Sequence, residues 1–357
     1  MSRFFSEKYK NLTPYTPGEQ PQEGGFVKLN TNESPFPPSP KAAAALSSAE
    51  INKLRLYPDP ESRLIRRALA ANLSLDIENI FVGNGSDEVL AFIFAAFFDG
   101  EREVCFPEIS YGFYPVYCEL YGIKTNTIPL KEDYSIDIEA FVRTDKSVVL
   151  ANPNSPTGMA VPGADIEKLL KKRERLVIVD EAYIDFGGES AVELVKSYDN
   201  LIVVQTLSKS RSLAGGRLGY AVACPELIAD LFNIKYSFNS YNVNRLTEIV
   251  AAAAVEDKDY FEYTRREIIK NRERTVKWLE SRGFDVLPSA ANFIFTKSGQ
   301  INGAALYQRL RAKGILVRHF NKPRLSDFVR ISIGSDSDTD KLLKALGEII
   351  STIEDDL

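Results

Sequence analysis

Lys209 offers the most chemistry in this sequence, because it follows directly on a run built to be buried. Leu201-Ile202-Val203-Val204 is β-branched and apolar, as a buried strand requires. The chain then turns polar and presents Thr206, Ser208 and Lys209, with Arg217 eight positions after the lysine. Ligands of open α/β sheets bind beyond the carboxyl ends of the strands. An amine placed there, flanked by hydroxyls and followed by a guanidinium, suits attack on the carbonyl of an anionic ligand. Alone, the lysine reads more readily as a solvated loop residue.

Two other strand ends carry matching chemistry. Leu176-Val177-Ile178-Val179 is uniformly apolar and ends in Asp180-Glu181-Ala182-Tyr183. A carboxylate at the end of a doubly buried strand is costly unless it meets a cation. Ser147–Ala151 reads as a third strand, followed by Asn152-Pro153-Asn154-Ser155-Pro156-Thr157-Gly158. Its two X-Pro bonds make a rigid turn that aims amide or hydroxyl side chains past the sheet edge, and such bonds admit a cis form.

The elements that must position these residues alternate strand and helix, which implies a mostly parallel sheet. Ile80-Phe81-Val82 leads through Gly83-Asn84-Gly85 to Ser86-Asp87-Glu88 and an apolar helix, the arrangement that offers a helix start to a phosphate. It is no dinucleotide fingerprint, since Glu88 replaces the third glycine; an N-capped helix without a ligand would look the same. Glu103–Phe106 is a strand with Ser110-Tyr111-Gly112-Phe113-Tyr114 beyond it, and a helix is expected from Asp165 to about Arg173. Leu218–Ala223 resumes as a strand, and from about Asn244 the pattern turns helical over long spans. Phe293-Ile294-Phe295, Ile315–Arg318 and Phe328–Ile333 then alternate with helices, as in a small α+β domain. Arg318 and Arg330 lie inside otherwise apolar strands, where a structural ion pair would explain them as well as a ligand would. The expected division is an N-terminal arm over 1–40, a large domain over 41–243 and a small domain over 244–357.

Composition sets the outer bounds. The chain has 357 residues, 44% hydrophobic and 26% charged, enough for one large and one smaller core. A net charge of −5 argues against a nucleic-acid binder. Cys105, Cys118 and Cys224 are widely spaced and fit a reducing, cytoplasmic setting. The one histidine, His319, excludes a site needing two imidazoles. The N-terminus lacks a signal-peptide core, and Val89–Phe98 is too short to span a bilayer. Lys209-Ser210 lacks the preceding glycines of a Walker motif.

Brought to one sheet edge, these residues offer an amine, a buried carboxylate, a flat ring and phosphate donors. Pyridoxal 5′-phosphate needs that set: its aldehyde takes an amine, and its pyridinium nitrogen needs an acid beside it. The motifs LNTNESP, RLYPDP, GNGSDE, SYGFY, NPNSPTG, VIVDEAY, TLSKSRSLAGGRLG, ILVR and FVRISIG resemble, in order and over nearly the whole chain, those of fold-type I aminotransferases. Within that superfamily the sequence is most similar to the histidinol-phosphate aminotransferase family. The resemblance implies a large domain with a seven-stranded, mostly parallel sheet between helices, a small α+β domain, and an amino transfer from L-histidinol phosphate to 2-oxoglutarate. It further implies that Lys209 bonds the cofactor's aldehyde and shuttles the proton, that Asp180 faces the ring nitrogen, and that Tyr183 donates to the 3′-oxygen. Tyr111 matches the stacking ring. Ser86, Asp87, Ser208 and Arg217 match the phosphate cradle, with Thr206 nearby. Tyr57 matches a residue that reaches the neighbouring subunit's cofactor, which implies a homodimer. Arg330, helped by Arg318, matches the clamp for the substrate anion, and Asn32 and the surroundings of His319 are expected in the side-chain pocket.

One position departs from the family. Ser155 stands where Asn commonly contacts the 3′-oxygen, so either Ser155 takes that part or Asn154 reaches in, with the balance toward Asn154. Aromatic-amino-acid aminotransferases and amino-acid phosphate decarboxylases share most of these motifs and stay as alternatives. An effector-binding module of a regulator would need a fused DNA-binding segment, for which the chain has neither spare length nor basic charge.

Overall fold

A computed structural model describes residues 2–10, 12–21, 24–172 and 174–355. The proline-rich arm leads to a short strand, β1 (Val27–Lys28). The next seven strands are β2 (Ile80–Asn84), β3 (Val104–Pro107), β4 (Thr125–Ile128), β5 (Ser147–Ala151), β6 (Val177–Asp180), β7 (Leu201–Thr206) and β8 (Leu218–Ala223). They form one sheet in the order β2-β8-β7-β6-β5-β3-β4, in which β8 alone runs against the others.

Both faces of this sheet are covered, which is why its central strands are apolar without alternation. Val148, Leu150, Val177, Val179, Leu201 and Val203 pack on one face with Ile65 and Leu69 of the helix Arg63–Leu73. Val149, Ile178, Ile202 and Val204 pack on the other with Phe94 of the helix Ser86–Phe97 and Tyr114 of the helix Phe113–Tyr121. Truncating one such fully buried side chain to alanine costs about 2–5 kcal/mol, so the strand ends are rigid mounts. Register then sets what they carry: Ala151 lies beside Asp180, and Asp180 beside Val204. The Asn152 turn, the Asp180 carboxylate and the Thr206–Lys209 turn therefore leave the sheet on one edge.

The second unit is a four-stranded antiparallel sheet. Its strands β9 (Phe284–Val286) and β10 (Phe293–Ser298) precede β11 (Ile315–Leu316), which pairs in parallel with β1 of the arm. Strands β12 (Arg318–His319) and β13 (Phe328–Ser332) complete the order β12-β13-β10-β9. Ile294, Val329 and Ile331 form its core with Leu306, Ile268 and Leu346 of three helices.

Some boundaries differ from expectation. The helix expected to run to about Arg173 spans Gly163–Leu170, and Arg173 itself lies outside the described residues. The helix Arg245–Glu256, expected in the small domain, packs Ala251, Ala252 and Val255 into the large sheet's core. A helix at Pro225–Phe238 and strand β4 have no counterpart in the sequence reading.

Candidate active site

A cavity of about 1000 Å³ opens at the carboxyl edge of the large sheet, closed on the far side by β12, β13 and the arm. Its walls include Ser86, Asp87, Tyr111, Ser155, Asp180, Tyr183, Thr206, Ser208, Lys209, Arg217, Arg318, Arg330 and Asn32. Of the residues singled out in the sequence, Tyr57 and Asn154 are not among them.

At the sheet edge the charges lack partners. The Lys209 amine donates one hydrogen bond, to the Thr31 carbonyl at 3.3 Å, and lies 5.9 Å from the Tyr183 ring centre. Burial, and next the Arg330 guanidinium, push its pKa down from 10.5 to about 8, so a neutral, nucleophilic amine is within reach near neutrality. Asp180 accepts from the Tyr114 hydroxyl at 2.9 Å and the Ala182 N–H at 3.3 Å, and no cation pairs with it among the described residues. Burial pushes its pKa up from 3.8 to about 6. The Tyr183 hydroxyl accepts from Asn32 Nδ2 at 3.0 Å; burial raises its pKa as well. Asn32, held at φ 55°, is itself fixed by the Ser332 hydroxyl donating to its Oδ1 at 2.9 Å.

The helix start at Ser86 is built for close approach. A Cβ on Gly219 would fall 2.2 Å from the Ser86 nitrogen, so β8 and the helix start press together only because that residue is glycine, while Gly85 takes the positive φ of 82° that the turn into the helix requires. Asp87 organises this corner: its carboxylate accepts from the Tyr111 hydroxyl at 2.7 Å and from Arg217 Nη2 at 3.1 Å. Thr206 donates to the Ser208 hydroxyl at 2.9 Å. Both X-Pro bonds of the Asn152–Pro156 turn are cis.

In that turn the Asn154 side chain is engaged away from the cavity. Its Nδ2 donates to the Ile109 carbonyl at 3.0 Å and its Oδ1 accepts from Ser110 at 2.9 Å, so the side chain ties two loops together behind the cavity wall. Ser155 is the one that faces the cavity, where its hydroxyl accepts from Arg330 Nη1 at 3.2 Å.

On the far wall two guanidiniums stand side by side, since Arg318 and Arg330 are register partners across β12 and β13. Arg330 donates also to the Asn30 carbonyl at 3.1 Å, leaving Nε buried without a partner. Arg318 donates to the carbonyls of Pro17 and Thr16 at 3.1 and 3.0 Å. Neither meets a carboxylate among the described residues. Adjacent like charges in a sheltered place favour an anion between them.

The set fits pyridoxal phosphate: a carboxylate wanting a cation, an amine depressed in pKa, a pressed helix start with an arginine, and a ring on a tether. A model of the family "Aminotransferase class I and II" matches residues 25–346. The histidinol-phosphate aminotransferase of Pseudomonas putida KT2440 is 51% identical over 347 residues, covering 97% of this chain and all of that one. That of Pseudomonas syringae pv. syringae B728a is 49% identical over 98% of this chain and all of its own. This chain belongs to the histidinol-phosphate aminotransferase family. Among solved structures, the family member from Sinorhizobium meliloti, in complex with pyridoxal-5′-phosphate, superposes with a TM-score of 0.87 at 27% identity, over 99% of both chains. The family member from Clostridium acetobutylicum gives 0.84 at 27% identity, over 92% of this chain and all of that one.

Three cavity features escaped the sequence reading. Tyr15 of the arm lines the cavity and stacks on Phe113 at 4.4 Å between ring centres; a tyrosine between two Thr-Pro steps in a polar arm was the available signal. Phe320, rather than the neighbouring His319, borders the cavity, while His319 bonds the Ser326 carbonyl. Tyr114, which holds Asp180 from behind the cavity, read only as one of the aromatic rings beyond a strand end. Among the described residues no His/Cys/Asp/Glu group could hold a metal, and no helix is long and apolar enough to cross a membrane.

Proposed function

We propose that this chain transfers the amino group of L-histidinol phosphate to 2-oxoglutarate, with pyridoxal 5′-phosphate as its cofactor. The observation that carries the reading is the presence, in one cavity, of a half-buried amine and a buried carboxylate that both lack an ionic partner, opposite two adjacent guanidiniums. When bound, pyridoxal phosphate supplies an aldehyde for an amine and a ring that takes up the charge left when a Cα proton departs.

Each residue then has a part. Lys209 would bond the aldehyde, be displaced by the substrate amine, and as a free base take the Cα proton and return it one carbon away. Asp180, ionised once a cation stands beside it, would keep the ring nitrogen protonated. Tyr183, positioned by Asn32, would donate to the ring's 3′-oxygen, with the Ser155 hydroxyl close by. Tyr111 would lie on the ring face, and Ser86, Asp87, Ser208, Thr206 and Arg217 would surround the phosphate. Arg330 and Arg318 would clamp the substrate's phosphate in one half-reaction and a carboxylate of 2-oxoglutarate in the other.

The same reading makes the protein a homodimer. Tyr57 is 78% exposed, outside its own cavity, beside the exposed Leu54 and Leu56 of the same stretch. A second copy covering that strip would receive Tyr57 at its own cofactor phosphate. The three free cysteines fit the cytoplasm. The test is product analysis with holoprotein, histidinol phosphate and 2-oxoglutarate. Stoichiometric L-glutamate and the keto product are expected; release of CO₂ instead would replace the reading with decarboxylation.

A further inference from the structure

The loop Tyr57–Ser62 is held from behind by ionisable groups that the proposed chemistry does not use. Lys235, on the helix Pro225–Phe238, is 2% exposed and points its amine at the Pro60 carbonyl. Among the described residues it meets no carboxylate within ion-pair distance; the Phe232 and Tyr236 rings lie at 5.3 and 4.7 Å, and the charges of Arg66, Asp59, Glu248 and Glu88 act on it from beyond that distance. Arg66, stacked over Phe232, donates to the Glu61 carbonyl at 3.3 Å. Glu248, on the helix Arg245–Glu256, is 5% exposed and accepts the Ser62 hydroxyl at 3.0 Å. Burial pushes Glu248 up to about 7. Ser62 stands at the helix N-cap yet does not cap it with its side chain; its φ of 48° turns that hydroxyl toward Glu248.

Lys235 and Glu248 make their hydrogen bonds to neutral groups and no contact ion pair, and burying them so is destabilising, so their placement calls for a return elsewhere. All of these bonds converge on one short loop. The loop's outer side is Tyr57, stacked on Tyr241 at 4.6 Å with its carbonyl held by Arg245 at 3.2 Å. We infer that Lys235, with Glu248 and Ser62, is a positioning residue for Tyr57, fixing the loop in the pose that hands the Tyr57 hydroxyl to the cofactor phosphate of a second copy of this chain. The inference rests on the shared-site reading above.

The test is the dissociation constant of pyridoxal phosphate, from fluorescence titration of the apoprotein, in a double-mutant cycle. Dimer mass is followed by sedimentation. Tyr57→Phe removes one hydrogen bond to a charged group and should weaken binding about tenfold or more. Lys235→Met should weaken it about tenfold in the wild-type background, but less than about twofold in the Tyr57→Phe background, because it acts through that hydroxyl. Ser62→Ala, which leaves the lysine in place, should show the same dependence on Tyr57 and serves if Lys235→Met does not fold. Multiplying effects in the double variants, or a normal dissociation constant for both Lys235→Met and Ser62→Ala beside a weakened Tyr57→Phe, would overturn the inference while leaving the shared site intact. A normal constant for Tyr57→Phe would overturn the shared site and the inference with it.

Discussion

The two walls of the cavity treat charge in opposite ways. At the sheet edge, half-buried Lys209 and buried Asp180 hydrogen-bond neutral groups only, and desolvation moves both pKa values toward the uncharged forms. On the small-domain wall, the Arg318 and Arg330 guanidiniums stand side by side and spend donors on carbonyls of the arm and on Ser155. The first wall is prepared for a resident group that completes it. The second must trade its protein partners for a ligand that comes and goes. Loss at the first wall should therefore fall on the chemical step, and loss at the second on substrate affinity.

The sharpest way to break that contrast is Lys209→Ala, which removes both nucleophile and base. The expected fall in kcat is about 10³-fold or more, measured with holoprotein at saturating donor; near-native turnover would end the scheme. Asp180→Asn leaves the ring nitrogen without an acid and should lower kcat by about 10²- to 10³-fold, with KM little changed. On the other wall, Arg330→Lys keeps the charge but loses the planar fork. It should raise KM about tenfold to a hundredfold, the weight of one or two charged hydrogen bonds, with a smaller change in kcat. An equal fall in kcat would show that Arg330 acts on the chemical step.

A pH profile sharpens the comparison further. Burial lowers the Lys209 pKa, so its neutral form gains above about 8 rather than near lysine's ordinary 10.5. Uptake of pyridoxal phosphate by the apoprotein should thus accelerate with pH and level off above about 8. Below about 6 Asp180 is protonated in the apoprotein, and uptake should weaken again. Because Arg330 is the second cause of the lysine's shift, Arg330→Met should move the upper midpoint to higher pH. Stopped-flow fluorescence follows each.

These two walls were not equally legible in the sequence. Lys209, Asp180 and the Asn152–Pro156 turn stand out because each follows a run apolar on both faces, and such runs announce buried parallel strands. What the turn does with its side chains was hidden: Asn154 and Ser155 are adjacent, and only the folded turn puts Ser155 on the cavity side. The arm's share was hidden for a similar reason, since Tyr15 reaches Phe113 through tertiary packing that no local pattern records. The helix Pro225–Phe238 escaped because its buried face includes Lys235 between apolar neighbours, which blurs the periodicity. Strand β4 lies at the sheet edge with Thr125, Asn126 and Thr127 exposed, so it lacks the alternation that marks a strand. The alanines of Arg245–Glu256 read as helix but not as belonging to the large sheet's core.

A far wall matched to a phosphate-bearing amino donor should show in the choice of substrate. Single-turnover bleaching of the holoprotein's visible band measures that choice, with L-histidinol phosphate run beside L-phenylalanine and L-tyrosine. Histidinol phosphate should convert the cofactor orders of magnitude more efficiently, and Arg330→Lys should narrow the gap by about tenfold or more. Equal or faster bleaching by the aromatic amino acids, unaffected by Arg330→Lys, would contradict that match.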